Sequence, residues 1–501
     1  MSIFSVLGRV LGFLYRIVLS RNISTTLLGS YTVALSIACV FTTLICSGIP
    51  LVISKQVASN DVQKKYDHSY GMVFSGLIIS LVVTLFVILV TLLFPSLFEL
   101  IFTSKDSYIM LISLLPYLIS TAVYTSIRGY LWGKEKYYQV SMVEFVEQIF
   151  KIILCIVLFK VMKNGYVWAP GIVVSVSCIL STILGIYYFK KEKGKIKPYP
   201  NTFKTLFNSS APLTTIRTVG SLINPFVSII LPLMLIKGGY SSEQALTMLG
   251  ISMGMVLPLI SIPSTIIGSL SMALIPKLNT LKSENNYSQL ISQIKSSFVF
   301  TLFATFLLVP IFSSISVPIC TFIFGNSTAG TILNMFAWIM VPNGLMMISS
   351  SILNSLGYEK YTFFSYAISS VVLILGILVL PAYLGINALF ISLGINSFCV
   401  FLLNYMKIKR ITGINNSILL KLITLMILTL PMKYLNTFLY NLLVLIFPSI
   451  VSIGLICIIS VVIFTLLMFA FGLINIEYFD LVKKGFMGKV KISKKLKRKN
   501  T

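Results

Sequence analysis

Acidic side chains are scarce in this 501-residue chain: Asp and Glu number 13, against 39 Lys and Arg. There is one histidine, His68, in a polar loop, which leaves imidazole-based acid–base catalysis or metal ligation almost no material. The seven cysteines (Cys39, Cys46, Cys155, Cys178, Cys320, Cys399 and Cys457) all fall in apolar segments without CxxC spacing. They read as small apolar packers, not as a disulfide framework or a zinc site. Charged residues of both signs make up only 10% of the chain, where a soluble globular protein carries roughly 25%. No metal, no cofactor and no enzymatic activity are expected from this inventory.

What remains is apolar. Hydrophobic residues reach 57% and the mean hydropathy is +0.96. A membrane span needs about 20 mostly apolar residues. Fourteen such runs occur, at 2–20, 28–53, 71–98, 107–131, 139–161, 166–189, 207–236, 244–274, 296–321, 331–356, 361–381, 386–406, 417–437 and 443–473. The fold expected is an all-α polytopic membrane protein with about fourteen transmembrane helices. The first run carries Arg9 and Arg16 and no small-residue cleavage site follows it, so it does not read as a cleavable signal peptide.

The formal charge of +26 suggests nucleic acid until its distribution is considered. Loops after the even-numbered runs, with the tail, hold 27 of the 39 Lys and Arg; loops after the odd-numbered runs hold five, Arg21, Lys105, Lys163, Lys237 and Lys433. Positive charge marks the cytoplasmic side. A cell-membrane protein with both termini cytoplasmic is therefore expected, and nucleic acid is not a partner. The basic tail KKGFMGKVKISKKLKRKN (483–500) is placed on anionic lipid headgroups.

An internal repeat divides the chain. GKEKYY (133–138) returns as GYEKYT (357–362), ISK (53–55) as IPK (275–277) and LGS (28–30) as LGI (249–251), at displacements of 224, 222 and 221. Six runs separate equivalent positions, so the halves share one orientation, a transporter signature with substrate expected between them. The expected organisation is an N-lobe at 1–189, a basic linker at 190–206, a C-lobe at 207–410, an added helix pair at 411–476 and a basic tail at 477–501. The two six-helix lobes are expected to surround a central cavity.

Cations at membrane depth cost at least about 2.5–3.5 kcal/mol and face a partner or a wet cavity. Arg9, Arg16, Arg128, Lys151 and Arg217 are of this kind; Lys160 and Lys421 lie near run ends, where they snorkel. Helical spacing puts Ser5, Arg9, Gly12 and Arg16 on one stripe, and Tyr117, Thr121, Tyr124 and Arg128 on another. Thr214, Arg217, Ser221 and Asn224 form a third, just before Pro225. Glu144, Glu147 and Lys151 share one face of the fifth run, with Glu147 and Lys151 in the favourable i, i+4 order. Two roles for these acids stay open: internal ion pairs that fix packing, or groups that set the charge and hydration of a cavity. Either way five cations outnumber two acids, which favours an anionic substrate group.

The segments GRVLGFLYRIVLSR (8–21), SGIPLVISKQVA (47–58), RGYLWGKEKYYQVSMVEFVEQIFKI (128–152), SAPLTTIRTVGSLINP (210–225) and LSMALIPKL (270–278) carry a resemblance. Together they resemble the polysaccharide-transporter branch of the multidrug/oligosaccharidyl-lipid/polysaccharide exporter superfamily, nearest its stage V sporulation and lipid II flippase-like members. The resemblance implies two lobes working by alternating access, and an undecaprenyl-pyrophosphate-linked saccharide as cargo, moved from the cytoplasmic to the outer leaflet. It implies Arg9, Arg16, Arg128 and Arg217 as substrate-binding residues, and Glu144, Glu147 and Lys151 as charge-setting or coupling residues. A monomer in contact with membrane lipid is the expected working unit, with a coupling cation left open. There are departures. Arg16 follows Arg9 by seven residues where the flippase pattern has six, the eighth run lacks a further arginine near Pro258, and acidic sodium-site positions on runs seven and eleven have no counterpart. A cation-coupled drug exporter of the same superfamily is the alternative, but it calls for cavity acids in excess of bases. A membrane glycosyltransferase or polymerase is disfavoured by short outward loops that hold few acids, Asp106 and Glu243 among them.

Overall fold

The computed structural model describes residues 3–161, 166–415 and 417–473, and every regular element among them is helical. Lys163 and the basic tail at 477–501 lie outside the described residues. The chain forms two compact units, Met1–Met255 and Val256–Thr501.

The first unit contains α1 (Ile3–Asn22), α2 (Thr25–Cys46), α3 (Ile49–Val62), α4 (Tyr66–Leu93), α5 (Pro95–Ile101), α6 (Lys105–Gly133), α7 (Tyr137–Val161), α8 (Ala169–Lys191), α9 (Thr202–Ser221), α10 (Ile223–Lys237) and α11 (Ser242–Leu249). Local chemistry sets several starts. Ser24 and Ser241 cap α2 and α11 by accepting backbone N–H bonds, and Pro50, Pro95 and Pro170 occupy first turns, where their missing N–H costs nothing. Helix α6 is central: it packs on α8, α2, α3 and α4. Its inner face is built from Ile127, Tyr130 and Leu131, against Ile53 and Val57 of α3 and Met72 of α4.

Twelve helical stretches among the described residues are long and apolar enough to cross a membrane. They coincide with twelve of the fourteen runs read from the sequence. The other two are α1 and α7, of 20 and 25 residues; α7 carries Glu144, Glu147 and Lys151 within its span. The count of fourteen thus rests on the two helices that carry most of the intramembrane charge.

Several runs read as continuous are broken, the seventh and eighth among them. The seventh is α9 and α10, parted at Leu222. Pro225 clashes with the carbonyl four residues back, that of Ser221, where α9 ends. The eighth run is α11, a π-helical turn at Gly250–Val256, and helices Leu257–Ile260 and Ile262–Ser283.

The second unit repeats the local architecture of the first. Left-handed turn residues close helices at Lys64, Glu135 and Lys193, and again at Asn285, Gly357 and Gly413. The displacements are 221, 222 and 220. The same backbone bond closes the second pair of turns: Lys136 N–H donates to Leu131 O and Tyr358 N–H to Leu353 O, each at 2.9 Å. This shifts the register of one motif pair. Glu135 is matched by Gly357, not by Glu359, so the GKEKYY turn aligns at 222 and not 224. Polar glue holds the second unit: Ser365 donates to Asn404, whose amide donates to Ser350 at 2.9 Å. Asn436 donates to Ser460 at 2.9 Å, tying helix Ser417–Val444 to helix Ser449–Ala470.

Candidate substrate-binding site

All seven charged residues singled out from the sequence fall in the first unit. The seat is the packing of α1 against α7. Gly8 of α1 lies beside the Phe145 backbone and Gly12 beside the Gln148 amide of α7. Small residues four apart let the two backbones approach closely. Phe4 closes the contact, edge-on to both Tyr138 and Phe145.

On α7 the acids take different partners. Glu147 Oε1 lies 2.6 Å from Lys151 Nζ, both side chains largely buried at 18% and 13% exposure. Glu144 Oε1 lies 4.0 Å from Arg128 Nη1 of α6, and its side chain stays 47% exposed. The first pair is a tight, dry contact; the second is loose and open. Arg128 is also held by its own helix: its guanidinium sits 4.9 Å over the Trp132 ring, one turn on. Its Nε is buried and donates to no group among the described residues.

Two further groupings follow from electrostatic reach. Glu144 lies within the fields of Arg128, Glu147 and Arg9, and Tyr31 of α2 lies within those of Lys151 and Arg16. The register of α1 on α7, with Gly8 at Phe145 and Gly12 at Gln148, orders the charges along the helix pair in two levels, Arg9 with Arg128 and Glu144, and further on Arg16 with the Glu147–Lys151 pair, Glu147 acting on both. Arg9 and Arg16 are exposed on the unit, and neither makes an ion pair among the described residues.

Arg217 on α9 donates from Nη1 to the Ser47 carbonyl at 3.3 Å, at the end of α2. That end is also in the field of Arg128, through Cys46. Thr214, one turn before Arg217, accepts the Gly48 N–H at 3.2 Å and fixes α9 against the same junction. A cation at a helix C-terminus meets carbonyls that lack helical partners.

The family description "Polysaccharide biosynthesis protein" matches residues 1–282, which hold every one of these groups. The chain belongs to that family. Stage V sporulation protein B of Bacillus subtilis (strain 168) is 28% identical over 288 residues, 54% of this chain and 55% of that protein, so the match spans about half of that relative. Lipid II flippase MurJ of the same organism is 23% identical over 454 residues, 84% of this chain and 83% of the relative. Among solved structures, lipid II flippase MurJ in an inward closed conformation superposes with a TM-score of 0.68 at 16% identity, covering 96% of this chain and 99% of that one. An inward-facing multidrug resistance MATE transporter of the MOP superfamily gives 0.69 at 13% identity, covering 82% and 96%. This family member is a multi-pass membrane protein with the fold shared by those transporters.

Sequence spacing alone did not single out Trp132, Gln148 or Ser47. Trp132 was within reach of it, since RGYLW places the ring four residues after Arg128 on the same face. Gln148 and Ser47 were not, because only packing between distant segments brings them to Gly12 and Arg217.

Proposed function

We propose that the protein is a flippase that moves a lipid-linked saccharide, joined to its polyprenyl carrier by pyrophosphate, from the cytoplasmic to the outer leaflet by alternating access through a fourteen-helix fold. The observation that carries this reading is Arg128. Its Nε is buried without an acceptor among the described residues, its acid partner Glu144 is loose at 4.0 Å, and Arg9 lies on the same level. A guanidinium fork grips phosphate oxygens bidentately, and a pyrophosphate displaces Glu144 more readily than it would a tight pair. Arg217 and Arg16 add charge at the α2 end and at the second level. Glu147 and Lys151 keep that level neutral and packed. The sporulation and lipid II relatives support this class of cargo.

The test is binding of a purified polyprenyl-pyrophosphate saccharide to the parent and to Arg128→Lys and Arg128→Ala, at matched folding. A lost charge-assisted bond is about 1.5–3 kcal/mol, so lysine weakens binding by roughly ten- to a hundred-fold. Unchanged affinity in the Lys and Ala variants of Arg9, Arg128 and Arg217 alike would sink the anionic-lipid reading.

A further inference from the structure

Equivalent turns of the two repeats differ in how their charge is balanced. In the first unit Lys134 forms an ion pair with Asp61, and Lys136 Nζ lies 3.1 Å from Glu192 Oε2. At displacements of 221 and 222, Asp61 corresponds to Lys282, Lys134 to Leu356 and Lys136 to Tyr358. The first of these contacts is kept with its polarity reversed: Lys282 Nζ donates to the Leu356 carbonyl at 2.7 Å. Glu192 corresponds to Thr412, at the displacement of 220 that relates Lys193 to Gly413. The second repeat therefore has neither acid at this end, and a lysine in the place of one.

A second lysine joins it. Lys282 Nζ, in the last turn of helix Ile262–Ser283, lies 5.9 Å from the centroid of the Tyr358 ring. Lys407 Nζ, on helix Asn387–Thr412, lies 5.0 Å from the same ring and 5.4 Å from that of Tyr361. Two ammonium groups share one half-buried tyrosine. Glu284 and Glu359 are close in sequence, yet neither lysine makes an ion pair among the described residues. A ring face contributes only about 0.5–1 kcal/mol to each cation at such a site. The like charges still repel, and a bound anion relieves that.

The surroundings indicate which anion. From Tyr361 the exposed side chains of Phe364 and Ile368 continue one face of helix Glu359–Val379 at i+3 and i+7, and Met406 stands exposed beside Lys407. The two lysines thus lie at the foot of an uncovered apolar face, which in a bilayer meets acyl chains. The lysine asymmetry assigns this end to the cytoplasmic leaflet, where anionic lipids give the surface its negative potential. Basic pockets between transmembrane helices on that side take phosphate head groups. A free phosphate would use the lysines and leave the apolar face unused; an anionic phospholipid uses both.

We infer that Lys282 and Lys407, which share the Tyr358 ring, bind the phosphate of an anionic phospholipid whose acyl chains lie on the Phe364–Ile368 face. The site lies in the second unit and is independent of the cargo reading, whose charged residues all lie in the first.

The probes are phosphatidylglycerol, phosphatidylcholine with the same chains, and glycerol 3-phosphate, which has the head alone. Each is measured on the full-length protein in detergent, for the parent, Lys407→Gln, Lys282→Asp and Lys360→Gln. Lys282→Asp gives the second repeat the acid of the first, and Lys360→Gln removes one charge outside the pair. The parent is expected to prefer phosphatidylglycerol to phosphatidylcholine. Lys407→Gln weakens phosphatidylglycerol roughly fivefold, the ~1 kcal/mol that one lysine contributes near an anionic surface. Lys282→Asp abolishes the preference, and Lys360→Gln leaves it unchanged. Lys407→Gln decides the matter by itself if loss of the Lys282 bond to Leu356 prevents folding. Equal phosphatidylglycerol binding in the parent and Lys407→Gln overturns the inference. An equal loss in Lys360→Gln also overturns it, because diffuse surface charge would then account for the binding. If glycerol 3-phosphate competes at the same concentration as phosphatidylglycerol, the site takes free phosphate and the assignment to a lipid is wrong.

Discussion

Thr26 and Thr247, 221 residues apart, join their hydroxyls in a hydrogen bond of 2.9 Å. The same displacement separates Gly29 from Gly250, and these glycines also meet: a Cβ on Gly250 would lie 2.6 Å from the Gly29 nitrogen. Equivalent residues of the two repeats thus face each other across the α2–α11 crossing. A local two-fold relation between these helices brings each repeat position against its own counterpart. The LGS and LGI strings recur because one contact needs the same small residue from both sides.

Substitution at that crossing is the first prediction. A methyl on Gly29 runs into the Leu246 carbonyl, and one on Gly250 runs into the Thr25 carbonyl. Backbone cannot yield as a side-chain tip does, so Gly29→Ala and Gly250→Ala each lose at least about 1–3 kcal/mol of stability. Thermal melting in detergent is the readout, with Gly454→Ala, which meets nothing within 4 Å, as the control. Melting temperatures equal to the control would show that the crossing is not tight.

The Glu147–Lys151 pair gives a second. Both members are largely buried at 2.6 Å, and removing one partner of a buried pair costs about 3–5 kcal/mol because the other charge is stranded. Glu147→Gln and Lys151→Met each lower the yield of folded protein. The exchange Glu147→Lys with Lys151→Glu restores it. An exchange no better folded than either single variant would show that the pair is not the reason these residues are retained. If the exchange restores folding but not transport, the level it occupies also serves the cargo.

Acid stability turns on Glu192, just beyond α8. Lys136 Nζ lies 3.1 Å from its Oε2, and Gln139 Nε2 donates to Oε1 at 2.6 Å. Burial alone would raise the carboxyl pKa, but these bonds and the charges of Lys136 and Lys191 outweigh it and hold the group below its ordinary value. A depressed folded pKa means that the stabilisation is complete above the ordinary carboxylate range and is lost as pH falls through the folded value. Glu192→Gln therefore melts lower than the parent at neutral pH, and the gap closes between about pH 5 and about pH 3. A gap that stays constant over that range would assign the effect to packing and not to charge.

Orientation is tested by labelling. The lysine asymmetry places Lys195 on the cytoplasmic side and Ser327 on the outer side. In a background free of the exposed Cys39, Lys195→Cys and Ser327→Cys are expected to react with an impermeant maleimide from opposite faces. Reaction from the same face would rule out the three crossings, at 207–236, 244–274 and 296–321, that lie between them.

The sequence by itself determined the solvent, the helical class and the repeat. Hydrocarbon offers backbone groups no partners, so each apolar run must satisfy its own bonds as a helix. That rule acts within about 20 residues and is legible in the string. So is the placement of Arg9, Arg16, Arg128, Lys151 and Arg217, because a cation in an apolar run stands out without any knowledge of its neighbours. Only the tertiary structure decided which charge meets which. Spacing put Glu144, Glu147 and Lys151 on one face of α7, but not that Glu147 turns to Lys151 while Glu144 turns loosely to Arg128. It gave a stripe to α9, but not the Ser47 carbonyl that Arg217 meets 170 residues away. Periodicity fixes the direction of a side chain about its own helix axis; which helix stands in that direction is set by how all the helices pack, and for Gly29 and Gly250, Gly8 and Phe145, or Lys282 and Lys407 that is a property of the folded unit alone.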